Sequence, residues 1–445
     1  MKNLIRLLLL VVCFGAVDAS ALFQMDEIIG IGDPELRNDF MQFLVRPYRD
    51  RTERFRSART EALQMSLAVN DESDQLTLEN WGDNRADIRP GSSMVKISAG
   101  GINGTTYSGS LTDQEFSGNA AGVYGRFGTF EAEASHLREE ARDFGGSGKD
   151  EFEKNTAGAG VSFGGEGVRL GLHGNLNKGM DPGSKLELPN NAAGAALAFR
   201  AGIFELGATA DYVDRGLKDP SDSLEVKRSG PAVGGQALIK PFKGFRAALR
   251  ASLAKLSGDL NDSGAKADFE GDNTEAGMRA EWKLESIPLI LAARWEKLIM
   301  TPEYRQGNLS ARVQAENRLK SSAAAFHFFG GRFLLGVELQ ELAIDYDEYT
   351  NNSFTSHQHL TVFTGAGGTE VWLLPWFGLR GSYKRMETRD NITKAETYNN
   401  TLGAGVGLKG ESLSLDVSAR KITTDNKVVK QNEFTDIKAL LAYKF

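Results

Sequence analysis

The chain is 445 residues long, with 41% hydrophobic and 25% charged residues, 50 glycines and a formal net charge of −7. The plentiful aliphatic and aromatic residues exclude wholesale disorder, and the acidic balance excludes a dedicated nucleic-acid binder, which would carry a basic domain. Five histidines and a single cysteine leave little material for a zinc or thiol centre.

Residues 1–21 have the pattern of a secretory signal peptide. Lys2 and Arg6 supply positive charge, residues 7–12 an apolar core, and Ala19-Ser20-Ala21 a small-residue cleavage motif, with cuts after Ala19 and after Ala21 fitting alike. The apolar run is far below the ~20 residues that a membrane-spanning helix needs. Cys13 lies within the leader, so the mature chain is expected to have no cysteine. After residue 21 no stretch approaches the length of an apolar spanning helix, which leaves open a barrel, whose signal per strand is much weaker.

Residues 22–92 read as a separate N-terminal unit. Asp33 is placed as an N-cap with Pro34 at the first helical position, and Leu36, Phe40, Phe43 and Leu44 fall on one face, so a helix is predicted over 30–68 with a kink at Pro47. Phe55, Ala58, Ala62 and Met65 continue its apolar stripe. The opposite face carries Arg46, Arg49, Arg51, Arg54, Arg56 and Arg59. Two placements fit this segment: a solvated helix in the periplasm, or a plug inside whatever 93–445 builds. Residues 69–92 read as a polar linker.

From about residue 93 the period changes from 3.6 to 2. Over 203–212, Phe204, Leu206, Ala208, Ala210 and Tyr212 alternate with Glu205, Gly207, Thr209 and Asp211. Over 245–256, Phe245, Ala247, Leu249, Ala251 and Leu253 alternate with Arg246, Ala248, Arg250 and Ser252, and a similar row runs through 403–417. Such alternation predicts strands with one apolar and one polar or small face. Short Gly/Pro turns near 128, 164–167, 201–202, 240–244, 285–288, 330–331, 373–377 and 409–412 alternate with longer polar loops, among them 102–118, 258–272 and 300–318. The fold class predicted over 93–445 is all-β: an antiparallel up-and-down transmembrane β-barrel of about eighteen strands, with 14–16 as the alternative if Asn103-Gly104 turns a hairpin of its own. Trp282, Trp372, Trp376 and Tyr212 fall near strand ends, where an interfacial girdle would place them.

The last strand carries Ile437, Ala439, Leu441, Tyr443 and Phe445 on one face. This resembles the C-terminal strand of Gram-negative outer-membrane β-barrel proteins as a class, porin-like proteins among them. The resemblance covers the final ten or so residues. It implies a Gram-negative outer-membrane location after leader cleavage, contact with outer-membrane lipid, and reading by the barrel-assembly machinery, with Tyr443 and Phe445 as the assembly signal. The chain length and helical N-terminal segment are also loosely similar to long-chain fatty-acid transporters, whose N-terminus plugs a fourteen-stranded barrel; the strand count predicted here departs from theirs.

No local nucleophile signature accompanies His136, His173 or His327, and no enzymatic chemistry is expected. His357 and His359 share a face and follow Asp345, Asp347 and Glu348, a surface metal pattern. Asp259, Asn261, Ser263 and Glu270, with Gly264, match the spacing of a calcium-binding loop, which would be a structural site in an outer loop. Strand parity assigns Arg169, Arg246, Arg250, Arg279, Arg294, Arg380, Lys384, Arg420, Glu205, Glu275, Glu338 and Asp416 to the lumen, and Asp211 and Glu296 with them. Rings of charge in a wet lumen set ion selectivity in a pore. The function expected is therefore a porin-like channel for passive passage of small polar solutes or ions, with no cofactor and no nucleic-acid partner; a homo-oligomer is compatible with it. The alternatives are a transporter for hydrophobic compounds gated by the N-terminal segment, which needs an apolar interior, and a non-conducting structural or adhesive barrel.

Overall fold

In the computed structural model the described residues lie within 94–444, apart from several strand connections, and at some strand positions the backbone alone is described. The leader, the helix expected over 30–68, the linker and Phe445 lie outside the described residues.

The described residues form eighteen strands: β1 (Met94–Ser108), β2 (Leu111–Phe127), β3 (Phe130–Asp143), β4 (Lys149–Gly164), β5 (Val168–Asp181), β6 (Leu186–Ala201), β7 (Phe204–Asp219), β8 (Leu224–Phe242) and β9 (Phe245–Asp262), then β10 (Ala265–Leu284), β11 (Leu289–Gln306), β12 (Leu309–Phe328), β13 (Phe333–Thr350), β14 (Ser353–Leu374), β15 (Phe377–Asp390), β16 (Glu396–Lys409), β17 (Leu413–Asp425) and β18 (Lys430–Lys444). Each pairs antiparallel with its neighbours in sequence. The first and last also pair, from Met94↔Lys444 to Thr106↔Asn432, so the sheet closes and has no free edge. Asn103 and Gly104 continue β1, paired to Thr435 and Phe434 on one side and to Ser117 and Phe116 on the other, and turn no hairpin.

The outer wall carries a belt of exposed apolar side chains. On β9 the row is Phe245, Ala247, Leu249, Ala251 and Leu253, with Leu249 60% exposed; the neighbouring rows include Met278 and Trp282 on β10 and Leu335, Val337 and Leu339 on β13. Nine residues from 245 to 253 match the 9–11 that a tilted strand needs to cross a bilayer. Aromatics collect at the turn end of this belt: Phe242 stacks on Phe245 with centroids 5.2 Å apart, Phe328 meets Phe333 at 5.8 Å, and Trp376 meets Phe377 at 5.9 Å. Trp282 and Trp376 are exposed there as the girdle reading requires. Trp372 is not part of it, because it shares the inward row with Thr364, Gly368 and buried Glu370.

The long polar loops predicted on the opposite end are strands. β1 and β2 run through most of 102–118, β9 and β10 through most of 258–272, and β11 and β12 through most of 300–318, so that connections at both ends are two to five residues long. Cross-strand bonding satisfies the backbone as well in water as in lipid, so polar sequence alone does not end a strand. β14 reaches 22 residues, twice what the belt requires. The excess stands above the belt.

Candidate functional site

Inside the belt many of the described inward positions are polar or small. Ser252, Glu296, Gln340, Thr364 and Glu370 are buried on inward positions, interleaved with Gly207, Gly336, Gly368, Gly403 and Gly407. Trp372 Nε1 donates to Glu370 Oε1 at 2.6 Å, which gives the inward indole the polar partner that a buried N–H needs. Lys384 is half-buried on the same inner row of β15 as Ser382. For Arg169, Arg246, Arg250, Arg279, Arg294, Arg380, Arg420, Glu205, Glu275, Glu338 and Asp416 the backbone places each position on the strand row opposite the exposed apolar one. The register sets opposite charges across from each other near the turn end: Arg200↔Glu205, Arg246↔Glu281 and Arg380↔Glu370. His173 and His327 occupy inner-row positions on β5 and β12.

Above the belt the two faces exchange character. On β9, Lys255, Ser257 and Asp259 are exposed outward while Ala254, Leu256 and Leu260 are buried inward. On β12, Arg318 and Lys320 face out while Ala311, Val313, Ala315 and Leu319 are buried. On β13, Leu335, Val337 and Leu339 belong to the belt, then Glu341, Asp345 and Asp347 take over the outer row and Tyr346 is buried inside. The inward apolar residues form one contiguous cluster from Ala192 on β6 to Tyr346 on β13, including Val213, Val226, Phe269 and Leu298. Within it the Arg228 guanidinium lies 5.2 Å from the centroid of the Phe269 ring, and its Nε is buried without a hydrogen-bond partner.

The inner face was expected to be mostly polar; the upper apolar lining departs from that. The physical reason is the solvent outside. Where the outer face meets lipid, apolar groups belong there; where it meets water, they move inside as in any soluble sheet. The sequence contains the signal, a one-residue slip of the alternation. Leu249, Ala251, Leu253 is followed by Ala254, Leu256, Leu260, and Leu335, Val337, Leu339 by Leu342, Ile344, Tyr346. Strand parity extended from the belt misses it.

The calcium-loop reading is also corrected. Asp259 and Asn261 lie on β9 and Glu270 on β10, paired to Asp268, Lys266 and Ser257 respectively, with Ser263 in the two-residue connection outside the described residues. A continuous ladder lays these oxygens out along two strands, whereas an encircling calcium loop needs irregular backbone. Glu270 instead lies 3.7 Å from Arg305.

The outer surface above the belt is a charged ledge. Lys297 pairs with Glu316 at 2.9 Å and Arg318 with Asp345 at 2.6 Å. His357 and His359 fall on this ledge opposite Asp347 and Asp345, so the register brings together the predicted metal pattern except Glu348. Glu348 is on the inner row, where Ser356 Oγ donates to it at 2.8 Å and Tyr346 Oη at 3.0 Å. Partial burial pushes the Asp345 carboxyl up, but hydrogen bonds from His359 and Arg318 outweigh it and hold the group below the usual carboxylate range.

A closed sheet with a lipid-facing belt is the architecture of outer-membrane β-barrel proteins. No family model and no curated protein matches the chain. Among solved structures it is similar to a Pseudomonas aeruginosa FadL homologue, with 14% identity, TM-score 0.37, and coverage of 82% of this chain and 94% of that one. It is also similar to Pseudomonas aeruginosa OpdQ (10% identity, TM-score 0.40, 80% and 97% covered) and to the alcaligin outer-membrane receptor FauA of Bordetella pertussis (11%, 0.40, 77% and 75%). At these scores the likeness is one of general barrel form.

Proposed function

We propose that the protein is a transport barrel of the Gram-negative outer membrane that passes small polar solutes or ions through its lumen. The observation that supports this reading is the split of the wall at belt level, with Leu249 and Leu339 exposed outside and Ser252, Glu296, Gln340 and Glu370 inside. Carboxylates and amides on the inner wall of a lipid-facing belt are costly unless water or charged partners meet them. A wetted lumen supplies the water, and the register sets inner-row positions of opposite charge across from each other. On this reading residues 1–21 are the leader, 22–92 a periplasmic or plugging segment, and 93–445 the barrel, with Tyr443 and Phe445 recognised by the assembly machinery. The test is conductance of the purified full-length protein in planar bilayers. Steady ohmic steps are expected, and a folded barrel that stays silent in every preparation refutes the reading.

A second reading, transport of hydrophobic or amphipathic compounds, is favoured by the upper apolar lining around Val226, Leu256, Phe269 and Leu298. It predicts saturable binding of an apolar fluorophore that Phe269→Asp abolishes. On the first reading the same lining is a dewetting constriction, and polar substitution there raises conductance.

A further inference from the structure

The ledge outside β13 and β14 holds a cluster for which passage through the lumen has no use. His357 and His359 are two apart on a strand and so share its outer face. The ladder sets Asp347 directly across from His357 and Asp345 across from His359, the closest side-chain approach that an antiparallel pair offers. His357 Nδ1 lies 2.6 Å from Asp347 Oδ1, and His359 Nδ1 is hydrogen-bonded to Asp345 Oδ1. The rings are nearly parallel, 17° apart with centroids at 6.4 Å. One ligand atom from each of Asp345, His357 and His359 lies within 4.8 Å of the others. The backbone beneath is tied down: Asn391 N donates to the His359 carbonyl at 2.8 Å, and Asn391 Nδ2 to Thr361 Oγ1 at 2.8 Å.

We propose that Asp345, His357 and His359 form a binding site for one divalent transition-metal ion of the zinc, nickel or copper(II) class, with Asp347 orienting His357 from behind. Imidazole and carboxylate together suit those ions, whereas calcium and magnesium prefer all-oxygen sets. Asp347 on His357 Nδ1 fixes that ring's tautomer and leaves its Nε2 as the donor, the usual arrangement behind a metal-bound histidine, whereas at His359 the ion would take the place of the proton between Nδ1 and Asp345 Oδ1. Bonds of about 2.0–2.2 Å draw ligand atoms to roughly 3–4 Å of one another. The half-exposed His357 ring can supply that contraction by rotating. Arg318 holds Asp345 Oδ2 at 2.6 Å and opposes the incoming charge, so Oδ1, which now meets His359 Nδ1, is the oxygen the ion would take.

The experiment uses the untagged full-length protein folded in detergent, titrated with copper(II) and followed by electron paramagnetic resonance, with zinc calorimetry alongside. One ion per chain is expected, with splitting from two nitrogens. His357→Gln with His359→Gln should abolish that spectrum, Asp347→Asn should weaken affinity roughly tenfold or more, and Arg318→Gln should tighten it. All four side chains lie on the outer surface, and heat-modifiable migration on gels verifies that each variant is folded. The proposal is overturned if the wild type retains no stoichiometric ion, if its spectrum shows a single nitrogen, or if the double variant keeps the same spectrum and affinity.

Discussion

Leu249→Arg places a charge at the middle of the apolar row that runs from Phe245 to Leu253, between Ala237 and Met278 on the adjoining strands. Arginine at the midplane of a barrel's lipid face costs about 2–4 kcal/mol. The folding equilibrium should therefore fall roughly 30- to 700-fold. Ser257→Arg is the control: the same strand, the same outer face, eight residues nearer the ledge. Eight residues are roughly 26 Å along the strand. At a tilt of about 40° that is some 20 Å along the membrane normal, well past the ~13 Å half-height of the apolar band. Its cost should stay within about 0.5 kcal/mol. Both are measured by urea titration of folding into phospholipid vesicles, read from tryptophan fluorescence and heat-modifiable migration. If Leu249→Arg is as stable as wild type, or Ser257→Arg costs as much as Leu249→Arg, the belt has been placed at the wrong height.

Phe269→Ala removes a ring buried in the inward cluster together with its contact to Arg228, and should cost about 3–5 kcal/mol in the same titration; a loss near zero would show that the upper barrel is not packed. Asp390 accepts from Thr393 Oγ1 at 2.6 Å and from the backbone of Thr393 and Ile392, which holds its carboxyl below the usual range. Because the folded-state value is depressed, its contribution is full above the unfolded value near 4 and fades as pH falls through the folded one; Asp390→Asn should flatten that part of an acid melting profile. Deleting Phe445 should leave unassembled protein in the periplasm while Tyr443→Ala assembles more nearly normally, judged by fractionation and heat-modifiable migration. Removing residues 22–68 should leave a heat-modifiable barrel; a rise in conductance places that segment in the lumen, and unchanged conductance places it in the periplasm.

The alternation of apolar and polar residues from about 93 onward was enough to determine strands, because a period of two is a local property of the extended backbone, and the turn signals between them indicated their antiparallel order. Pairing of the two terminal strands could not be read locally, since it joins Val95 to Tyr443 across the whole chain. Polar stretches such as 300–318 look like loops in sequence and are strands in the barrel, because neighbouring strands extend one another's ladder into water. The histidine pattern at 357 and 359 was visible, but only the β13–β14 register decided that Asp345 and Asp347 join it while Glu348 turns to the inner row. Periodicity distinguishes two faces of a strand without saying what each one touches. Closure of the sheet defined inside and outside, and the end of the lipid belt reversed which of them is apolar: Leu253 and Ala254 are adjacent in the chain, yet one belongs to the outer belt and the other to the buried lining.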